Sequence, residues 1–164
     1  MHCEVEWLVR PEEARSLALF TVGASPTGSM SEKLWDRYLS AEHSVLYPVT
    51  LKITVWGMSQ RTMTHLTRHH VGVQFYVRTS RPDRDGEPGD KRDVVLIVNP
   101  VALVSMARKR LCDLAWCETK ETMEMVKETL KEGDPFMEIL AKHMVADCVY
   151  KGKCTEMKPC GRIK

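Results

Sequence analysis

The sequence predicts one α+β domain, and three observations lead to that prediction. The chain has 164 residues, of which 43% are hydrophobic, which is enough apolar material for one core. Segments that alternate apolar and polar residues, as strands do, occur between segments with helical spacing of apolar residues. Residues typical of helix starts stand at the head of several of these helical segments.

The first two elements are predicted to be a strand and a helix. Cys3 to Val9 places apolar residues at every second position, which is typical of a half-buried strand. Pro11 begins a helix, because proline is tolerated in a first turn, and this helix should end near Val22 and Gly23. A loop over residues 24–29 follows, since this stretch is rich in serine, proline and glycine.

The next elements are a helix, the most regular strand of the chain and a second helix. Ser31 can cap the first helix, and its apolar face is most simply core: Leu34, Trp35, Tyr38 and Leu39. Alternation over 49–55 predicts a strand that Gly57 ends. Ser59 can cap the following helix, on which His65 and His69, four residues apart, would share a face.

The second half is predicted to begin with extended segments and to end in helices. Apolar residues alternate with other residues over 71–78, which indicates an extended segment with one buried face. The charged stretch 82–91 is expected to be a loop, which could act as a lid. Residues 94–98 are expected to form a buried strand. Asn99 before Pro100 is a strong helix start, and two more helices are predicted at 119–132 and 135–145.

Composition limits the classes of partner. The net charge is +2 and the sequence pI about 8.2, which is too mild to indicate nucleic acid binding and fits a small anionic ligand better. No apolar run approaches the roughly 20 residues that span a bilayer, and the N-terminus lacks a signal-peptide pattern. We therefore expect a cytoplasmic protein without a membrane partner. Its six cysteines are then expected to be thiols or metal ligands.

The stretch from Thr64 to Arg81 concentrates the polar groups that bind phosphate. It holds three arginines and three histidines between apolar residues. A guanidinium offers a rigid fork of donors to phosphate oxygens and keeps its charge, while hydroxyl donors can fix the orientation of the anion. A plain solvated basic surface is the alternative. The apolar interleaving favours polar groups that the fold holds in position.

Two motifs of this chain resemble those of the flavin-dependent thymidylate synthases. Arg68-His69-His70, followed by Thr79-Ser80-Arg81, is similar to the family signature of Arg-His-Arg, a spacer and Ser-x-Arg-Tyr. The helix from Asn99 to Arg110, with Ala115-Trp116-Cys117-Glu118 after it, resembles the family's Asn-x-Arg helix and its closing Ala-Gln-x-Glu. The similar segments cover about residues 35–130.

The resemblance implies a fold and an activity. The fold would be a mixed or antiparallel sheet packed with helices over residues 1–145, followed by a cysteine-bearing tail over 146–164. The activity would be FAD-dependent methylation of dUMP to dTMP at carbon 5, with methylenetetrahydrofolate and NADPH as cosubstrates. The partners would be a pyrimidine deoxynucleotide and a folate, bound at sites between subunits of a homotetramer.

The resemblance also implies roles for individual residues. The cofactor would be bound by Arg68, His69, His70 and Asn99. The nucleotide would be bound by His65, Thr79, Ser80, Arg81 and Arg110, with Arg110 as the catalytic residue that fixes the pyrimidine. Arg78 is a rival for the role of Arg81 if the alignment slips. A structural histidine at 69 and a solvated helix charge at 110 are the simpler alternatives.

Several positions depart from the family pattern. His70 replaces the second arginine of the triplet, His65 replaces a glutamine, and Pro82 replaces the closing tyrosine. Val101 stands where the family has a flavin-facing arginine, and Pro48-Val49 replaces a Glu-His pair. Three other functions therefore stay open: action on another nucleotide such as dCMP, a hydroxymethyl product, or a non-catalytic nucleotide-binding module.

No metal is predicted at either histidine or cysteine cluster. His65 and His69 lack a third local ligand, which zinc usually requires. In the tail, His143, Cys148, Cys154 and Cys160 have no standard metal-binding spacing. A structural metal remains an alternative to free thiols or disulfides if the tail folds back so that Cys112 joins this set.

Overall fold

A computed structural model describes residues 1–25, 29–81, 83, 89 and 91–163. Within these ranges the fold is α+β, as predicted. The strands are β1 (His2–Val9), β2 (Thr50–Ser59), β3 (Val73–Val77) and β4 (Lys91–Val98), with a 3₁₀ turn at Ser44–Leu46. The helices are α1 (Pro11–Thr21), α2 (Glu32–Ser40), α3 (Gln60–Thr67), α4 (Pro100–Arg110), α5 (Cys117–Lys131), α6 (Pro135–His143) and α7 (Asp147–Lys151). Pro82 and most of the predicted 82–91 loop lie outside the described residues, as does the middle of the 24–29 loop.

The four strands form an antiparallel sheet in the order β1-β2-β4-β3. The register aligns apolar residues across all four strands, with Val5 opposite Ile53, Ile53 opposite Leu96, and Leu96 opposite Phe75. Because side chains alternate between faces along a strand, this alignment creates one apolar face. That face is covered and forms the core, where Ile53 has no exposed surface and Leu96 is 3% exposed.

Helices α2, α5 and α6 bury the aromatic part of the core. Trp35 of α2 is completely buried and donates its indole N–H to the backbone oxygen of Phe136 at 2.9 Å. Its ring packs edge-on against Trp7 and Phe136. Such pairing satisfies the single polar atom of the indole while burying a large apolar surface. The prediction that the α2 face is core is therefore confirmed.

The prediction that Gly57 ends the second strand is wrong. Strand β2 continues to Ser59, with a register shift between Val55 and Met58 that marks a bulge. Gly57 has a φ of +73°, which glycine tolerates, and its N–H donates to Asp93 Oδ1 at 3.1 Å. After the bulge, β2 ends at Ser59 and α3 begins at the next residue, Gln60.

Two predictions around the motif are also wrong. Helix α3 ends at Thr67, so His69 lies beyond it and does not share a helix face with His65. Val71 is 80% exposed and Val77 41% exposed, so neither belongs to the buried face that alternation predicted. Strand β3 is an edge strand of five residues, and its first residue, Val73, is buried.

The C-terminal tail packs against the end of α4. Helix α7 buries Cys148, and Ile163 packs against the core. Arg162 donates from Nε to Asp113 Oδ2 at 2.8 Å and from Nη1 to the backbone oxygen of Leu111 at 3.0 Å. The division of the chain between residues 145 and 146 stays a prediction. Across the described ranges, no helix is both long and apolar enough to cross a bilayer.

Candidate functional site

The candidate site begins at the junction of β2 and α3, where Ser59 makes several hydrogen bonds. Its Oγ accepts from the backbone N–H of Thr62 at 3.2 Å and so caps α3, as predicted. The same hydroxyl donates to Glu118 Oε2 at 2.6 Å, and the Ser59 N–H donates to Glu118 Oε1 at 3.1 Å. These bonds tie the start of α3 to the first turn of α5.

The Glu118 carboxylate is held in its charged form. The hydrogen bond from the Ser59 hydroxyl is the largest cause that lowers the pKa of Glu118, and partial burial opposes it. Hydrogen bonds to a carboxylate favour its ionised state because they stabilise the negative charge. Glu118 is thus an anion at neutral pH.

A cleft of about 610 Å³ opens beside this junction. It is lined by Ser59, Gln60, Arg61, Thr64, His65, Arg68, Trp116 and Glu118. The guanidinium of Arg61 lies 4.3 Å from the centre of the Trp116 ring, and Trp116 is 41% exposed. A cation stacked on an indole is favourable. Arg61 and Arg68 outnumber the single Glu118 carboxylate in the lining, so the cleft suits an anionic ligand.

Arg110 lies next to the cleft and is fixed by the motif. Its Nε donates to His69 Nε2 at 3.0 Å, and its Nη2 donates to the backbone oxygen of His65 at 2.6 Å. Burial lowers the pKa of Arg110, and the nearby Arg68 adds to this effect. A guanidinium nevertheless stays charged at neutral pH. The structure thus joins Arg110 to His69, which are 41 positions apart in sequence.

Both histidines at the site are neutral at pH 7. Burial is the first cause that lowers the pKa of His65 and of His69, and repulsion from Arg110 is the second for each. Because Arg110 Nε–H donates to His69 Nε2, that nitrogen is the acceptor and the ring proton belongs on Nδ1. The permanent positive charge at this site therefore comes from guanidinium groups.

Asn99 has a structural role in this fold. Its Oδ1 accepts from the N–H of Ala102 at 2.8 Å and caps α4, as predicted, and Asn99 is only 8% exposed. Its backbone N–H donates to the oxygen of Gly72 at 3.1 Å. A Cβ at Gly72, whose φ is +73°, would lie 2.5 Å from Asn99 Nδ2. Contact between Asn99 and a flavin stays a prediction.

The second half of the signature lies apart from the cleft lining. Arg81 is exposed and forms two hydrogen bonds with Asp83, Nε to Oδ1 at 3.0 Å and Nη2 to Oδ2 at 2.8 Å. Thr79 accepts from the Arg81 N–H at 3.2 Å, and Ser80 is half-buried. The rival Arg78 pairs with Asp93 at 3.1 Å. Their predicted roles in nucleotide binding stay predictions.

His70 is not among the residues that line the cleft. It is exposed, and its Nδ1 lies 3.1 Å from the backbone oxygen of Arg68, to which it donates. Arg68 and His65 are thus the predicted site residues that line the cleft, while Arg110 and His69 form a pair beside them.

Sequence reasoning did not assign Arg61, Trp116 or Glu118 to the site. A signal for Arg61 was present, because positions 61, 65 and 68 recur with the spacing of one helix face. Glu118 belonged to the Ala-x-x-Glu motif after α4 and could have been proposed from it. Trp116 stands in the same motif, but its place in the cleft depends on how α5 packs against α3.

Comparison with known proteins agrees with the fold. No family model and no curated protein matches the sequence. A solved flavin-dependent thymidylate synthase, ThyX from Helicobacter pylori in complex with FAD and dUMP, matches with a TM-score of 0.67 and 13% identity. That match covers 88% of this chain and 100% of the other. The UMP/dUMP methylase PolB from Streptomyces cacaoi, bound with 5-Br dUMP, matches with a TM-score of 0.63 and 13% identity, over 88% of this chain and 97% of the other. At these identities the likeness concerns the fold, and it confirms the thymidylate synthase-like fold expected from the motifs.

Proposed function

We propose that this protein is an FAD-dependent enzyme that alkylates carbon 5 of a pyrimidine deoxynucleotide. One observation carries the proposal: on a fold whose solved examples include complexes with FAD and dUMP, the motif residues Arg68 and His65 line a cationic cleft. Arg110, the residue whose role is carried over from the nucleotide site, bonds the backbone oxygen of His65 and is held by His69.

The residues of the cleft fit FAD. Arg61 and Arg68 offer forked donors for the phosphate oxygens, and a guanidinium needs no proton to become charged. Trp116, which is 41% exposed, adds an aromatic side chain to the lining. The cleft volume of about 610 Å³ lies in the usual range of ligand sites but is open to solvent. We assign the phosphate-bearing part of FAD to this cleft.

The bound flavin would supply the hydride and take part in the one-carbon transfer, so the protein's task is to bind and orient. Arg110 is assigned to the nucleotide. Two of its guanidinium nitrogens are occupied by His69 and the His65 carbonyl, which fixes the plane of the group. Nη1 has no hydrogen bond to the residues that the structure describes, and we assign it to the ligand. A fixed donor is more effective than a flexible one because no orientation has to be imposed during the reaction.

The first choice of reaction is methylation of dUMP to dTMP with methylenetetrahydrofolate and NADPH, in the cytoplasm. The altered positions His65, His70, Pro82 and Val101 support a variant, such as action on dCMP or a hydroxymethyl product. The neutral His65, whose Nδ1 lies 3.2 Å from Thr119 Oγ1, is the altered residue that lines the cleft. We expect it to influence the choice of ligand.

We further propose that the working form is a homotetramer. The support is an exposed apolar group on and beside the edge strand β3, where Val71, Tyr76 and Val77 are 80%, 58% and 41% exposed. Exposed apolar side chains along an edge strand are typical of subunit contacts. A second subunit at this edge would bring its own residues to Thr79, Ser80 and Arg81.

A non-catalytic nucleotide-binding module is the second candidate. Two observations favour it: Asn99 is occupied as a helix cap, and Val101 packs partly buried against the core where a flavin-facing arginine would stand. Such a module would keep the nucleotide contacts of Arg110 and lose the flavin.

An assay of turnover separates these candidates. Purified protein is incubated with FAD, NADPH, methylenetetrahydrofolate and either dUMP or dCMP, and the nucleotide is analysed by mass spectrometry. The proposal predicts a gain of one methyl or one hydroxymethyl group on one nucleotide, and loss of that product in Arg68→Ala. Nucleotide binding without any product, in protein that is fully folded, would favour the binding module.

A further inference from the structure

Four of the six cysteines line one small cavity at the base of α4. Cys112 follows the end of α4, Cys148 lies on α7, and Cys154 and Cys160 lie in the segment after α7. The cavity has a volume of about 20 Å³ and is more enclosed than the cleft at α3. These residues come from three separate parts of the sequence, so the fold itself brings them together. His143 does not join them, because its ring pairs with Asp36 at 2.8 Å.

The cavity suits a single ion. A space needs roughly 10–15 Å³ to hold one water molecule, so about 20 Å³ is far too small for a nucleotide or an iron–sulfur cluster. Thiolates are preferred ligands of zinc, and structural zinc sites are closed and four-coordinate. Four cysteines around a space for one atom match that preference in both number and type.

Arg108 gives a second, independent observation at the same cavity. It is one of the lining residues, and its Nε is buried without a hydrogen-bond partner among the residues that the structure describes. The rest of the side chain is fixed, because Nη2 bonds Glu42 Oε1 at 2.6 Å and the guanidinium lies 3.6 Å from the centre of the Tyr150 ring. A buried donor without an acceptor is unfavourable. A metal-bound thiolate would accept a hydrogen bond from this Nε–H. Hydrogen bonds from neighbouring groups to metal ligands are common.

Other charges near the cavity are compatible with bound thiolates. Lys109 also lines it, as do the carboxylates of Asp147 and Glu156. Asp147 pairs with Lys109 at 3.8 Å and with Lys151 at 2.8 Å, so its charge is offset. Arg108 remains as a permanent cation beside a site that four thiolates and one zinc ion would make negative. Asp113 lies 3.8 Å from Cys160, between Oδ2 and Sγ, but its charge is offset by Arg162 and by Lys120 at 2.7 Å.

Apart from the bonds of Arg162 to Asp113 and to the Leu111 carbonyl, the segment after α7 makes few structural contacts. Residues 152–163 contain no helix or strand, and Met157 is completely exposed. Apart from Cys154 and Ile163, which pack partly buried against the core, its residues are exposed. Short segments without an apolar core are commonly held by a metal or a disulfide.

We propose that Cys112, Cys148, Cys154 and Cys160 bind one zinc ion that fastens the C-terminal segment to α4. Within the described ranges, no three His, Cys, Asp or Glu side chains are already arranged as a ligand set. The ion therefore draws the four sulfurs inward from the cavity wall, and its binding is coupled to the final packing of the segment. This inference does not depend on the proposed function.

Metal analysis of the full-length protein tests the proposal. Protein purified without chelators is analysed by inductively coupled plasma mass spectrometry, for wild type, Cys154→Ser and Cys117→Ser. Cys117→Ser is the matched control, because Cys117 is exposed and does not line the cavity. We expect roughly one equivalent of zinc per chain in wild type and in Cys117→Ser, and at least about a tenfold loss in Cys154→Ser.

Two further measurements on wild type make the test independent of whether the variant folds. Protein refolded with cobalt should show the intense red-region and near-ultraviolet absorption of a tetrathiolate site. Intact mass under denaturing conditions should show all six thiols reduced. Zinc-free wild type, zinc retained by Cys154→Ser, a cobalt spectrum without sulfur ligation, iron with labile sulfide, or a mass lowered by disulfide formation would each overturn the proposal.

Discussion

The two halves of the predicted phosphate-binding stretch differ in how the fold holds them. The half before Gly72 is tied to distant parts of the chain: His65 to Thr119, and His69 to Arg110. In the half after β3, Arg78 pairs with Asp93 of the neighbouring strand, whereas the exposed Arg81 pairs with Asp83, two residues away. A site half that is fixed by long-range contacts is preorganised in one chain, whereas we expect residues 79–81 to be fixed by a ligand or by a second subunit.

The largest effect should come from Arg110, which joins the fixed half to α4. Arg110→Ala removes the charge and leaves His69 Nε2 and the His65 carbonyl without their donor. We expect product formation to fall about a hundredfold, as when a fixed donor is removed from a reaction site. Steady-state kinetics with the preferred nucleotide measure this loss.

Arg37→Ala is the matched control for that experiment, because Arg37 is an exposed arginine on α2 and lies outside the cleft lining. Its kinetics should equal those of wild type. A drop of equal size in both variants would mean that total charge matters and that the geometry of Arg110 does not.

The next largest effect should come from Gly72, where the fixed half ends. In Gly72→Ala the new Cβ would lie 2.5 Å from Asn99 Nδ2 and 2.9 Å from Ala102 Cβ, at a φ of +73°. We expect the free energy of unfolding to fall by about 3 kcal/mol, from left-handed strain together with the clash. Urea denaturation measures it.

Gly152→Ala separates the two causes in Gly72→Ala. Gly152 has a φ of +68° but open space around its Cβ position, so its substitution should cost about 1 kcal/mol from strain alone. Equal losses in the two variants would show that the contact between Gly72 and Asn99 is not tight.

A smaller effect is expected at Glu118. Glu118→Gln keeps the shape but weakens the bonds from Ser59, and we expect the unfolding free energy at pH 7 to fall by about 1 kcal/mol. The folded pKa of Glu118 is lowered, so its contribution is present above the unfolded pKa and is lost as pH falls through the folded pKa. The difference between variant and wild type should therefore shrink in acid, as measured by denaturation at several pH values. A difference that is constant with pH would contradict the role of the ionised carboxylate.

The smallest effect on stability is expected at Arg81. Its pair with Asp83 is exposed on both sides, at 67% and 57%, and such pairs contribute less than about 1 kcal/mol. Arg81→Ala should leave the unfolding free energy almost unchanged while weakening nucleotide binding more than flavin binding. Calorimetric titration of both ligands tests this. A clear loss of stability in Arg81→Ala without loss of nucleotide affinity would contradict the conclusion that Arg81 serves the ligand and not the fold.

Local sequence signals predicted those features that local physics determines. The alternation in β2 and the caps at Ser31, Ser59 and Asn99 depend on a few neighbouring residues, and the structure confirms all of them. The end of β2 was predicted wrongly, because a glycine can end a strand or form a bulge. The choice depends on Asp93 in the neighbouring strand.

The arrangement of the candidate site was less predictable, because it also depends on contacts between residues that are distant in sequence. The cation stack of Arg61 on Trp116 and the bond of Arg110 to His69 join residues that are far apart in sequence. Alternation also predicted that Val71 and Val77 are buried, because a pattern cannot tell a core-facing strand from an edge strand whose face a second subunit could cover.

The most direct test of the central claim is a titration of purified wild type and Arg68→Ala with FAD, followed by dUMP or dCMP, by absorbance spectroscopy. We predict that wild type binds FAD, that one nucleotide perturbs the flavin band, and that Arg68→Ala loses most of its flavin affinity while keeping its affinity for the nucleotide. Wild type that binds no flavin, or Arg68→Ala that binds it as wild type does, would contradict the assignment of the α3 cleft to FAD.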